Sequence, residues 1–343
     1  MARSDFATEL RGYIVNPTER RLRSPWRVTV WVVGTLFLTV VFAGLAASVL
    51  PPGNGTGLGA VLRNLARTTW VWVAALGSGL GVGYLLDRRR LVDFGLELDR
   101  QWWRDAGFGL ALGVALPTVV LVVELATGLV TVTGVLVTES SGTIEFGATG
   151  AATRLVLLAV FFLVQATTEE VLVRGYLLTN AAEGLAGAFG KWRAAVVATV
   201  LTGALFGVLH ATNPSASLLS VINITLYGVL LGACYVLTGR LGIAAGFHVA
   251  WNYTLGLYGF PVSGIPTGAA LLGTETTGLP LVTGGSFGPE GGLVALPLLV
   301  VGSGALAWWV RREYGAVAVL EAVATPTLRR TADASDRPEN QDG

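Results

Sequence analysis

Eight stretches of this chain are apolar for roughly the length of a bilayer crossing, and no other feature limits its fold as much. They fall at 28–50, 69–86, 106–126, 152–180, 194–211, 216–237, 241–257 and 293–310. A hydrocarbon core about 30 Å thick is spanned by about 20 apolar residues in helical form. Inside lipid every backbone N–H and C=O must be bonded within the protein, and an α-helix does this segment by segment. The expected fold is therefore all-α: a polytopic membrane helix bundle of about eight transmembrane helices. Residues 1–27 form a polar tail ahead of a transmembrane domain at 28–312. Residues 313–343 follow as a second tail, polar and expected to be disordered from Glu321 on.

Composition agrees. Of 343 residues, 52% are hydrophobic and 13% charged, where soluble domains carry about a quarter charged. The mean hydropathy is +0.64. The 46 glycines suit helices that pack through small faces, as Gly228 and Gly232 do at four-residue spacing. A net charge of +1 gives no clustered basic surface for nucleic acid, so no nucleic-acid partner is expected. The single cysteine, Cys234, excludes a disulfide framework and a cysteine-based metal site. Between the apolar runs, Pro51 to Gly55 breaks the chain. Residues 91–104 read as an interfacial segment ending in Trp102 and Trp103, and Pro117 marks a kink. The 127–150 stretch, with Glu139 and Glu145, reads as a loop, and so does 259–290.

Lysine and arginine set the orientation. Placing the N-terminus in the cytoplasm puts 19 of the 23 basic residues on that side, leaving Arg63, Arg67 and Arg154 outside and Arg174 within the membrane. Both termini are expected in the cytoplasm, with the chain in the cell membrane and the lipid bilayer as its surroundings.

Arg174 has company. Glu169 and Glu170 precede it in a segment otherwise rich in valine and leucine, and ionised side chains at membrane depth are costly unless paired. Glu170 and Arg174 stand at i,i+4 and can pair along one helix face, while Glu169 points about 100° away. Both histidines of the chain, His210 and His248, also lie in apolar runs, and Asn252 sits one turn beyond His248. A carboxylate, two imidazoles and an amide converging in a dry site make a hydrolytic set. A glutamate there can act as general base toward water, with one histidine orienting that water. A second histidine with an asparagine can donate to the oxyanion formed when water attacks an amide. The same residues could instead hold a metal through Glu and His, with Glu169, His210 and His248 as the candidate zinc ligands. Structural readings also exist: an ion pair for Glu170 and Arg174, an interhelical hydrogen bond for Asn252, packing for Phe206. Asn223 and Tyr227 read as packing contacts, with cavity lining as the alternative, Thr167 and Thr168 as bonded to their own helix, and Gln165 is uncommitted.

Glu169-Glu170-x-x-x-Arg174, Phe206-x-x-x-His210 and His248-x-x-x-Asn252, in this order, resemble the motifs of the CPBP family of intramembrane proteases. That family groups CAAX prenyl endopeptidases with bacteriocin-processing and self-immunity proteins and is also called the Abi family. The resemblance covers about 90–258 and includes Phe94-Gly95-Leu96, Trp102 to Asp105, and Tyr227-Gly228 through Thr238-Gly239-Arg240-Leu241. It implies an intramembrane endopeptidase acting on a membrane-associated protein or peptide, including a prenylated CAAX-type substrate, near the cytoplasmic face. It further implies Glu169 as catalytic base with His210, Glu170 and Arg174 as support, and His248 with Asn252 as the oxyanion site. The pairing of Asn252 with His248 favours histidine as a hydrogen-bond donor, hence a glutamate-activated water and no cofactor, with zinc as the alternative. The competing readings are a non-catalytic immunity or scaffold protein and a proton-coupled transporter.

One expectation is internally discordant. At 1.5 Å per residue, Glu169 is about 16 Å from Asn180, His248 about 10 Å from Leu241 and His210 about 24 Å from Ala194. A shared site then requires tilted helices or a 181–193 connection that dips into the membrane.

Overall fold

The computed structural model describes residues 12–17, 19–50, 58–138, 150–325 and 328–329. Pro51 to Gly55, Glu139, Glu145 and the tail beyond 329 lie outside these. The long helices are α1 (Ser24–Val49), α2 (Leu58–Leu86), α3 (Arg100–Ala126), α4 (Ala151–Phe189), α5 (Lys191–Leu209), α6 (Leu218–Thr238), α7 (Gly242–Leu257) and α8 (Ala295–Tyr314). The first six are long and apolar enough to cross a membrane by length and composition. The remaining two expected crossings are helical as well. However, α7 has 16 residues, about 24 Å, and α8 ends in Arg311 and Arg312. The chain is a helical, multi-pass membrane bundle.

Local chemistry sets the helix ends. Asp99 caps α3 by accepting from the Trp102 amide at 2.8 Å, and Ser217 and Ser220 cap α6 reciprocally. Pro117 sits inside an unbroken α3. Between α4 and α5 the chain turns at Gly190 alone, whose φ of +76° is left-handed and favours glycine. The dipping 181–193 connection is thus replaced by continuous helix on either side of one residue. Glu169 stands 20 residues before Phe189 and His210 stands 19 after Lys191, so both lie roughly 30 Å from that turn. Their depths now agree. The start of α7 needs no membrane surface either, because Leu241 is fully buried and its amide donates to Gly95 O.

Small residues let the central helices touch. A Cβ at Gly109 or Gly113 of α3, or at Gly242 or Gly246 of α7, would run into the partner's backbone, so α3 and α7 pack at minimal separation. The Gly228 face of α6 meets Gly203 of α5 in the same way, and Gly232 meets Thr199. In contrast, α1 turns Val33, Phe37, Val40 and Val49 outward, an apolar surface suited to lipid.

Several expected loops and tails are built structure. Within 127–150, strand β3 (Val130–Thr138) pairs antiparallel with β4 (Ala269–Thr276) of the expected 259–290 loop. Within 91–104, Leu91–Phe94 is a 3-10 turn and Arg100 starts α3; Phe94 is fully buried and Trp102 is buried with its indole donating to Gly95 O, while Leu91, Leu98 and Trp103 are exposed. The N-terminal tail forms a short hairpin, β1 (Val15–Asn16) with β2 (Arg21–Leu22). Arg21, Arg27 and Arg89 there converge on Asp87 and Glu183 at 2.8–3.1 Å. Burial opposes the charge of Arg89, but Glu183 and Asp87 outweigh it and hold its pKa above the usual value. At the other end, 321–325 does not hang free. Val323 and Ala324 are buried, Leu320 N donates to Val236 O, and Arg329 exchanges contacts with Arg88.

Candidate active site

The two glutamates stand where α4 changes pitch. Regular α-helix runs to Glu170, and Val171–Leu178 is a π-helical stretch, a local widening common at functional sites. Glu170 and Arg174 are fully buried and pair at 2.7 Å. Arg174 also donates to Gly228 O at 3.2 Å and lies 4.5 Å over the Phe206 ring. The same Glu170 oxygen accepts from His248 Nδ1 at 2.8 Å. This contact is one the sequence did not suggest, since it ties the support pair directly to the histidine.

Glu169 faces the other way, into a cavity of about 700 Å³ that Glu170 and Arg174 do not line. Its Oε1 accepts from the Gln165 amide, and its Oε2 has no hydrogen-bond partner among the described residues. His248 Nε2 lies 3.9 Å from that Oε2. Gln165 Oε1 in turn accepts from Asn252 Nδ2 at 3.3 Å. Gln165 therefore joins the base to the amide, a link detectable in sequence only as its i,i+4 spacing to Glu169.

His210 stands in a short 3-10 turn just after α5. Its Nδ1 donates to Phe206 O at 2.7 Å, because a carbonyl can only accept. The neutral ring thus keeps Nε2 as an acceptor. Phe206 is more than filler: its ring lies 4.5 Å from His210 and 5.9 Å from His248 between centroids, with Arg174 over its face. Glu169, His210, His248 and Asn252 all line the one cavity. Tyr227 lines it too, whereas Asn223 reaches away to the carbonyls of Glu290 and Gly292. Thr168 bonds back to Val164 O.

The rest of the lining is apolar and aromatic, with Trp72, Phe161, Phe162, Phe247 and Trp251 prominent. The segment that follows α7 also reaches the cavity. Val262, Ser263, Ile265, Thr267 and Glu290 enter the lining from it. Glu290, nearly fully buried, accepts from Trp251 Nε1 at 2.9 Å and from Ser263 N and Oγ at 2.6 and 3.0 Å. Asn213 ties the other side by donating to Ser263 O. Nothing in the sequence motifs pointed to Glu290.

Glu169 lies 15 residues after Arg154 and 14 before Glu183, about 20 Å from each along the helix. The site is thus midway along α4. A zinc site wants three protein ligands plus water. Among the described residues no group of three His, Cys, Asp or Glu side chains is gathered closely enough to hold a metal ion, so the candidate set Glu169, His210 and His248 does not assemble as one.

Residues 151–254 match the family model of the Type II CAAX prenyl endopeptidase Rce1-like proteins. Over that segment the chain is similar to the Rce1-like proteins. The matched segment contains all three motifs and ends two residues past Asn252. A curated relative, the uncharacterized protein YyaK of Bacillus subtilis (strain 168), is 27% identical over 183 residues. That alignment takes in 52% of this chain and 56% of YyaK, so the chain spans about half the length of the relative it matches. No solved structure matches. Outside the matched segment stand α1, α2, α3 and the stretch after α7 that carries Glu290.

Proposed function

We propose that this chain is an intramembrane endopeptidase of the CAAX type, hydrolysing a peptide bond of a membrane-associated protein or peptide through a water activated by Glu169. The observation that carries this reading is the division of labour between adjacent glutamates. Glu170 lies outside the cavity with its Oε1 taken by both Arg174 and His248, while Glu169 presents an unpartnered carboxylate oxygen to a cavity large enough for a peptide segment.

In the proposed step Glu169 takes a proton from water as the oxygen attacks the carbonyl carbon of the scissile amide. His210, with Nε2 free to accept, orients that water. The oxyanion receives a hydrogen bond from the second N–H of Asn252 Nδ2, the first being used on Gln165. His248, whose Nδ1–H is held by Glu170, adds an Nε2–H donor as the imidazolium. Collapse of the tetrahedral intermediate breaks the C–N bond, and the proton on Glu169 passes to the leaving amine. Donors fixed before the charge develops are worth about 3–4 kcal/mol each in comparable sites.

The orientation follows the basic residues: cell membrane, both termini cytoplasmic. The test offers wild type and Glu169→Gln, each in lipid nanodiscs, a library of apolar and prenylated peptides. Cleavage by wild type and none by the variant is expected. Equal cleavage by both would remove Glu169 from the chemistry.

A further inference from the structure

The segment after α7 brings into the cavity lining a carboxylate with no Lys or Arg counter-charge among the described residues. Glu290 is 4% exposed. Trp251 Nε1 and Ser263 N are obligate donors, and they engage its two oxygens separately, the pattern of an ionised carboxylate. None of its three donors is a cation, and no Lys or Arg forms an ion pair with it among the described residues. Buried carboxylates are ordinarily paired. Glu169, also in the lining, likewise forms no ion pair with Lys or Arg among the described residues. No lining residue is Lys or Arg, and Arg174 is spent behind Glu170. Tyr227, also buried in the lining, adds a hydroxyl without a partner.

We propose that Glu290 is the specificity-determining residue of this cavity, and that the substrate it selects is a peptide segment carrying a positively charged side chain beside apolar ones. The proposal rests on the peptidase reading for the identity of the occupant. A cation entering an apolar cavity is stabilised strongly by a desolvated carboxylate, whereas a carboxylate placed beside Glu290 is repelled by it. Glu290 and Ser263 supply the carboxylate and hydroxyl, and the aromatic side chains of the lining accept the apolar neighbours. The segment is held in place by the Trp251, Asn213 and Asn223 bonds, so the charge is delivered at a fixed position.

The experiment uses full-length protein in nanodiscs and internally quenched apolar peptides identical except for one scanned position, which is Lys, Gln or Glu. Wild type should prefer Lys over Gln by about tenfold in kcat/KM at one position, with Glu poorest. Glu290→Gln, which keeps a carbonyl acceptor for the segment, should bring the Lys-to-Gln ratio near one. Glu290→Asp, which loosens the segment but keeps the charge, should retain the preference. A wild type without a Lys preference, or a preference that survives Glu290→Gln, overturns the proposal. If wild type cleaves no peptide, the peptidase reading fails by itself. The Lys-to-Gln ratio is then read from fluorescence anisotropy of the same peptides bound to wild type and to Glu290→Gln, with the same two outcomes deciding.

Discussion

His248 and Glu170, 78 residues apart in sequence, meet at 2.8 Å, with Nδ1 donating to the carboxylate oxygen that also receives Arg174. One buried acid thereby fixes the tautomer of a histidine on another helix while being neutralised from its own. The arrangement leaves His248 Nε2 directed toward Glu169 at 3.9 Å. Positions 169 and 170 thus have different consequences when changed.

Glu169→Gln and His210→Ala should each abolish proteolysis and leave a folded, inserted protein. Glu169 Oε2 has no partner to lose, and His210 gives up only one hydrogen bond to a backbone carbonyl. Turnover assays beside thermal melts in detergent decide it. Near-wild-type turnover in either variant would show that the assigned base or water-orienting group is wrong.

Glu170→Ala and Arg174→Ala should lower stability as well as activity. Removing one partner of a fully buried pair strands the other, at a cost of roughly 3–5 kcal/mol, and Glu170→Ala also frees the His248 ring. The thermal midpoint of each variant is the measurement. Inactive variants melting with wild type would contradict a structural role for the pair.

Gln165→Ala should weaken catalysis more than stability. It removes the group that aligns Glu169 Oε1 and Asn252 Nδ2, so kcat should fall by ten- to a hundredfold, about 1.4–2.8 kcal/mol, with KM little changed. A rise in KM at unchanged kcat would instead make Gln165 a substrate contact.

Glu183→Ala should destabilise the N-terminal end of the bundle. Three arginines, Arg21, Arg27 and Arg89, lose a shared partner, which leaves only Asp87 and the half-buried Glu19 against three positive charges. A drop in thermal midpoint, together with faster proteolytic clipping ahead of α1, is expected. Unchanged clipping would show that the hairpin at 15–22 is held by other contacts.

Active protein purified without added metal should contain no stoichiometric zinc and should survive chelator dialysis, since Asn252 beside His248 favours donation over ligation. Elemental analysis tests this directly. Close to one zinc per chain, lost with activity and restored on re-addition, would place the metal on the two Nε2 atoms and Glu169.

The sequence by itself determined the class of fold and the chemistry of the core. Apolar runs of bilayer length permit little besides a helical bundle, and ionisable groups stand out against them. Glu169, Glu170, Arg174, His210, His248 and Asn252 were legible because each is expensive where it lies. The i,i+4 pairing of Glu170 with Arg174 was legible because helix geometry alone fixes it. What needed the tertiary structure was every relation between helices. The extension of α4 to Phe189, which brings Glu169 and His210 to one depth, depends on a single glycine turn that polar residues nearby disguise as a loop. The His248–Glu170 contact depends on α7 starting inside the bundle, which follows from glycines packed against α3. Glu290, the β3–β4 pair and the buried arginine cluster were unreadable because their partners lie far along the chain. Locally they look like ordinary loop and tail, and burial, which alone distinguishes them, is decided only when the helices have packed.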